Sequence, residues 1–176
     1  MPFDLQPILK GKLLQLRPLR PDDFDALYAV ARDPLIWEQH PASDRYKEDV
    51  FRDFFQEALD CGGAFLVSDA TNGKIIGSSR FHGYNEEKSE IEIGWTFLAR
   101  SYWGGAHNRE MKRLMLRHAF QFVDRVILMV GVENWRSRRA VEKIGGVQIA
   151  SRIDETGRER VTFEITAEQF RTGPLR

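Results

Sequence analysis

Residues 90–115 read "EIEIGWTFLARSYWGGAHNREMKRLM": a strand, two adjacent glycines and the opening of a helix. The first part alternates. Glu90, Glu92, Gly94 and Thr96 share one face, and Ile91, Ile93, Trp95 and Phe97 the other, the period of a pleated strand. Gly104 and Gly105 carry no side chain, so their amides can approach a ligand closely. The helix expected next, over residues 108–123, leaves its first amides unpaired and bears partial positive charge there. Met111, Leu114, Met115, His118 and Phe122 fall on its apolar face. Glycines before a helix make a site for an anion, best suited to a phosphate or pyrophosphate. The same residues also make an ordinary turn with Asn108 as cap, and the stretch alone leaves both readings open. The Walker and GxGxxG patterns are absent, which argues against a nucleoside triphosphate or NAD.

Working outward, "RVILMVGV" is a near-continuous apolar strand, as expected when both faces are covered. "NWRSRRAVEKIGG" is a helix, with Asn134 as its N-cap and Gly145 and Gly146 at its end. "VQIASRIDETGRERVTFEIT" is a closing hairpin that turns at residues 155–158. Upstream, "KLLQLRPLR" is a first strand. In "RPDDFDALYAVARDP", Pro21, Asp22 and Asp23 suit a helix start and Pro34 a stop. "YKEDVFRDFFQEALDCGG" is a second helix, with Val50, Phe54, Phe55, Ala58 and Leu59 as its apolar stripe. "AFLVSDA" and "KIIGSSRFHGY" form a hairpin around Asn72 and Gly73. The order predicts a three-layer α/β domain with a mixed sheet and helices on both faces.

Residues 1–176 are expected to form a single domain, long enough for a substantial core. Hydrophobic residues make up 42% and charged residues 30% of the chain, and the formal net charge is +0. That balance argues against bulk attraction to nucleic acid or to an anionic membrane. Cys61 is the sole cysteine, so no disulfide can form within the chain, which suits a reducing compartment. The beginning, "MPFDLQPILKGK", lacks the basic start and apolar run of a signal peptide. No apolar run approaches the ~20 residues of a membrane span. A cytoplasmic protein is expected. His40, His82, His107 and His118 show no metal-ligand spacing, and no metal is expected.

The segments "IIGSSRFHGY", "EIEIGWTFLARSYWGGAHNREMKRLM" and "VENWRSRRAVEKIGG" carry a resemblance in sequence and order. The chain resembles the GNAT superfamily of N-acyltransferases, and within it the branch of ribosomal-protein N-terminal acetyltransferases. The likeness spans residues 14–165 and is most specific over 90–146. It implies a central, mostly antiparallel sheet with one splayed parallel strand pair, helices on both faces, and acetyl-CoA as cosubstrate. The family's diphosphate loop, Q/R-x-x-G-x-G/A, places Trp103 at its first position, Ala106 at the first glycine and Asn108 at the second small residue. The resemblance thus assigns phosphate binding to Gly104, Gly105, Ala106, His107, Asn108 and Arg109, with the amides of residues 105–109 as donors. It assigns pantetheine contacts to the backbones of Phe97 and Leu98 and to Asn134 and Ser137. Arg136, Arg138 and Arg139 form a basic helix face from which one could reach the cofactor's 3′-phosphate.

The implied reaction is the attack of a primary amine, on a protein N-terminus or a small molecule, on the thioester. Little is needed beyond a base and good positioning. Glu92 is the first candidate base, at the position where histone-acetyltransferase relatives carry theirs. It could instead pair with Arg80 on the neighbouring strand. His82 is the second candidate, and Glu90 lies one pleat further out. Trp37, His40 and Tyr84 are candidates for the acceptor wall. The tyrosine acid frequent in the family is replaced by Val141. A non-catalytic CoA-binding module of the same fold is the alternative, and a homodimer is compatible with the resemblance.

Overall fold

In the computed structural model, which describes residues 2–154 and 156–175, eight strands form one sheet. They are β1 (Leu9–Lys10), β2 (Leu14–Pro18), β3 (Ala64–Asp69), β4 (Ile75–Asn85), β5 (Glu90–Leu98), β6 (Arg125–Gly131), β7 (Val147–Ile153) and β8 (Glu159–Thr166). Their order across the sheet is β1-β2-β3-β4-β5-β6-β8-β7. Pairing is antiparallel except between β5 and β6. Helices α1 (Phe24–Ala31), α2 (Glu48–Asp60), α3 (Ala106–Ala119), α4 (Trp135–Lys143) and α5 (Ala167–Thr172) complete the fold. This is the expected mixed, mostly antiparallel sheet. No helix among the described residues is long and apolar enough to cross a membrane.

Two apolar clusters sit against the sheet. One gathers Met111, Met115, Leu116 and Ala119 of α3 with Ile91, Ile93 and the β6 side chains Val126, Leu128 and Val130. The other gathers Leu27 and Ala31 of α1, the phenylalanines of α2, Trp37 and Phe97. In α2 the buried stripe is Phe51, Phe54, Phe55 and Ala58, the spacing of one helical face. Phe51 is fully buried and Val50 is not, so the stripe is rotated by one residue from the expected one. The short β1 and α5 had no clear signal in the sequence. The closing hairpin turns one residue earlier than expected. Asp154 Oδ1 accepts from the amides of Thr156 and Arg158. Glu155, in the expected turn, lies outside the described residues.

Strand β5 does not keep its alternation. Trp95 has φ +52°, and the β4–β5 register shifts between Ser78, paired with Phe97, and Arg80, paired with Gly94. An extra residue here is a β-bulge, which reverses the faces beyond it. Ile91 and Ile93 therefore point to the α3 side, whereas Phe97 packs with α1 and α2. The left-handed backbone at Trp95 costs of order 1–3 kcal/mol. The packing of its ring offsets that cost: His82 lies edge-on at 5.1 Å and the Arg80 guanidinium covers it at 4.5 Å. A second shift between His82 and Asn85, with Gly83 at φ +63°, does the same to β4.

Candidate active site

Strands β5 and β6 pair at three positions, Glu90 with Arg125, Ile91 with Val126 and Glu92 with Ile127. Beyond Glu92 the bulge turns β5 away. β6 stays paired with β8 as far as Gly131 and Arg160. The two strands splay, and the segments 93–98 and 128–131 become the walls of a cavity of about 220 Å³. Lys112 of α3, Ser137 and Val141 of α4, and Trp37 and His40 of the α1–α2 connection also line it. That connection packs directly on β6. A Cβ on Gly131 would stand 2.4 Å from Pro41 Cγ, so a larger residue there would push the loop off the strand.

At one end of the cleft the chain opens. Gly104 has φ +69°, and a Cβ on either Gly104 or Gly105 would meet nothing within 4 Å. Helix α3 starts at Ala106, two residues earlier than expected, and no side chain caps it. Asn108 is thus its third residue and not its cap. Bare amides at the positive end of a 14-residue helix fit a diphosphate. Phe97, Leu98, Gly104, Asn108, Asn134 and Ser137 line the cleft; Gly105, Ala106, His107 and Arg109 do not. His107 packs edge-on against Tyr102 at 4.8 Å, and Arg109 donates to the Pro174 carbonyl. Trp103 Nε1 donates to the Leu98 carbonyl at 2.9 Å, so that acceptor is already engaged. Asn134 caps α4, its Oδ1 accepting from the Ser137 amide at 3.2 Å. Arg136 stacks over Trp103 at 3.9 Å and donates to the Ile36 carbonyl, while Arg138 donates to the Val132 carbonyl.

Glu92 stands on the α1–α2 side of β5, directly opposite His82 of β4. Among the described residues its carboxyl forms no hydrogen bond or ion pair. The alternative, a pair with Arg80, does not form: that guanidinium stacks over Phe54 and Trp95. Burial raises the Glu92 carboxyl to about 7, against the opposing pull of Arg160 and Arg80. Its Oε1 lies 3.2 Å from where a Cβ on Gly94 would stand, and Gly94 is a cleft residue. The carboxyl thus lies over Gly94, while Glu92 itself does not line the cleft. His82 is exposed beside it. Glu90 lies further out and is held by Arg125 at 2.9 Å.

His40 sits edge-on to Trp37 at 5.6 Å. Burial, with Arg45, Arg160 and Arg158 nearby, lowers it to about 3. It is a neutral ring, and because Nδ1 accepts from the Ala42 amide at 2.9 Å, its proton resides on Nε2. Tyr84 does not join Trp37 and His40. The bulge at Gly83 turns it to the other face, where it packs on Phe3 at 5.5 Å. Val141 is buried and apolar on the cleft wall.

Lys112 escaped the sequence reading. It is 6% exposed, and Nζ donates to Thr96 Oγ1 at 2.6 Å, which in turn bonds Ser79 Oγ at 2.8 Å. Burial lowers it to about 7. The signal was its spacing from Met115, Leu116 and Ala119, three, four and seven residues on, which puts it on an apolar helix face. Arg45 and Arg160 also converge on this region, and nothing local in the chain marked them.

The acetyltransferase (GNAT) domain model matches residues 14–147. A comparison with curated protein sequences returned no match. Among solved structures, a putative acetyltransferase is 26% identical with TM-score 0.77, covering 94% of this chain and 89% of that one. RimJ of Mycobacterium smegmatis in complex with CoA-disulfide is 20% identical with TM-score 0.68, covering 93% and 87%. The spermidine N-acetyltransferase of Vibrio cholerae in complex with CoA and spermine is 20% identical with TM-score 0.68, covering 91% and 99%.

Proposed function

From the premise that this chain belongs to the acetyltransferase (GNAT) domain family, we propose that it is an acetyl-CoA-dependent N-acetyltransferase acting on a primary amine. The observation that carries this reading is the opening between β5 and β6, with a side-chain-free turn and an uncapped helix N-terminus at its end. Its residues fit the cosubstrate. The amides of residues 105–109 would hold the diphosphate. The unpaired edge of β5 at Phe97, with Asn134 and Ser137, would hold the pantetheine arm. Acetyl-CoA would supply an activated acyl group on a good leaving thiol.

The protein's own part is positioning and proton handling. Glu92 is the base. A carboxyl poised at about 7 is half ionised near neutrality and takes a proton from the acceptor ammonium. His82, across the strand pair, is the second candidate for that role. Trp37 and His40 wall the acceptor side, and the neutral His40 offers an Nε2–H donor there. Lys112 puts a second donor on the cleft wall, whereas Val141 offers none. The likeness to a ribosomal-protein branch rests on the sequence motifs, and the spermine-bound Vibrio cholerae enzyme supports a small-molecule acceptor as well. A site in the cytoplasm agrees with a chain whose sole cysteine can form no internal disulfide.

Calorimetry with CoA and a thiol-release assay over several amine classes test this reading. Binding together with amine-dependent thiol release is expected. Binding without release for every amine would leave a CoA-binding module. Absence of CoA binding would overturn the proposal altogether.

A further inference from the structure

Arg45 lies within reach of both Arg80 and Arg160, and Arg80 carries an unmatched N–H edge. Arg80, on β4, is 4% exposed, and its Nη2 is buried with no hydrogen-bond partner among the described residues. Its guanidinium lies over Trp95 at 4.5 Å and over Phe54 at 5.1 Å. Arg45, from the α1–α2 connection, lies over the same Phe54 ring at 4.4 Å and over Trp37 at 5.2 Å. The two guanidinium carbons can be no further apart than the sum of their distances to that ring. Arg160, on β8, lines the cleft, and its field reaches both Arg45 and Glu92.

Stacking holds a guanidinium by its faces and leaves its N–H edges free for a planar anion. Four carboxylates lie within reach, and none of them hydrogen-bonds the buried Nη2 of Arg80. Glu57 and Asp44 act on Arg45, and Glu57 and Glu92 act on Arg80, with Cys61 beside it. Asp154 occupies one edge of Arg160 at 2.8 Å. Arg45 is lowered to about 10, first by burial and then by Arg80 and Arg160, so it remains a cation at neutral pH. Like charges brought together under aromatic rings are costly unless an anion joins them.

We infer that the amine acceptor carries a carboxylate, bound by Arg80, Arg45 and Arg160 while its nitrogen faces Glu92. The inference rests on the N-acetyltransferase reading above and narrows its acceptor to amino-carboxylates. A polyamine would bring further cations to a cationic wall and leave Arg80 Nη2 unmatched.

Thiol release is to be measured for free amino acids, each paired with its carboxamide, and for spermidine. A free acid is expected to exceed its amide at least tenfold in kcat/KM, mainly through KM, with spermidine slower still. In Arg80→Met the gap between acid and amide closes. Peptides beginning with Asp or Glu, set against Asn or Gln, show whether the carboxylate belongs to a free amino acid or to a protein N-terminus. A second measurement needs no turnover: thermal shift of the unloaded protein with N-acetyl amino acids against N-acetyl amino amides, repeated in Arg45→Gln. The acids are expected to raise Tm in the wild type and not in the variant. Equal treatment of acid and amide in both assays, or a preference for spermidine, overturns the inference while leaving the N-acetyltransferase reading intact. If no amine releases thiol, that reading fails, and the thermal shift still decides for or against a carboxylate site.

Discussion

Lys112 Nζ donates to Thr96 Oγ1 at 2.6 Å from a buried position, and among the described residues no carboxylate pairs with it. Burial lowers the amine from 10.5 to about 7. The unfolded chain therefore binds more protons than the folded one between these values, and the folded state gains stability as pH rises through that window. The slope from this one group is about 1.4 kcal/mol per pH unit. Lys112→Met is expected to be more stable than the wild type at pH 7, with the difference shrinking by pH 9. Urea unfolding of both proteins at the two pH values measures it, and a constant difference would count against the buried lysine.

For Glu92 the sign is opposite and the readout is rate. Burial raises its carboxyl to about 7, so as a base it becomes competent only as pH rises through that value. The wild-type kcat/KM is expected to climb across pH 6–8 and level off. Glu92→Gln is expected to lower it by about 10²–10⁴-fold and to remove the inflection. An unchanged profile in the variant would transfer the base to another group, with His82→Gln the next variant to measure.

Gly105 is the N-cap of α3 at φ −104°, and a Cβ there would meet nothing within 4 Å. Gly105→Pro removes its backbone N–H and pulls φ toward the proline value. CoA affinity measured by calorimetry is expected to fall at least tenfold. Unchanged affinity would mean that the diphosphate does not sit on this turn.

Gly77 marks the tightest approach along β5. A Cβ there would stand 2.0 Å from the Phe97 carbonyl oxygen, a backbone atom that cannot swing aside. Gly77→Ala is expected to cost ~1–3 kcal/mol in urea unfolding and to weaken CoA binding, because the displaced strand edge is the cleft wall. A neutral substitution would show that β5 has slack here.

Much of the architecture was written in local chemistry. Asn72-Gly73 turns a hairpin, Pro21 and the two aspartates open the first helix, and Asn134 caps α4. Each needs only neighbours within a few residues, so spacing and residue type suffice. The glycine pair, read beside the flanking strands, likewise pointed to an anion cradle, and Glu92 could be picked out on its strand. What no local pattern carried was the phase change at Trp95. A left-handed tryptophan is stable because Arg80 and His82 hold its ring across the sheet, and that single bulge both opens the cleft and sends Phe97 to the opposite face. The same holds for Tyr84, turned away by Gly83, and for Lys112, whose burial depends on the strand it meets. The arginines are the extreme case. Arg45, Arg80 and Arg160 lie far apart in the chain and meet only when a loop and two strands fold together. Charge and burial are pairwise, long-range quantities, so the sequence by itself determined the frame and the bare glycine turn, and the tertiary structure decided the field inside the cleft.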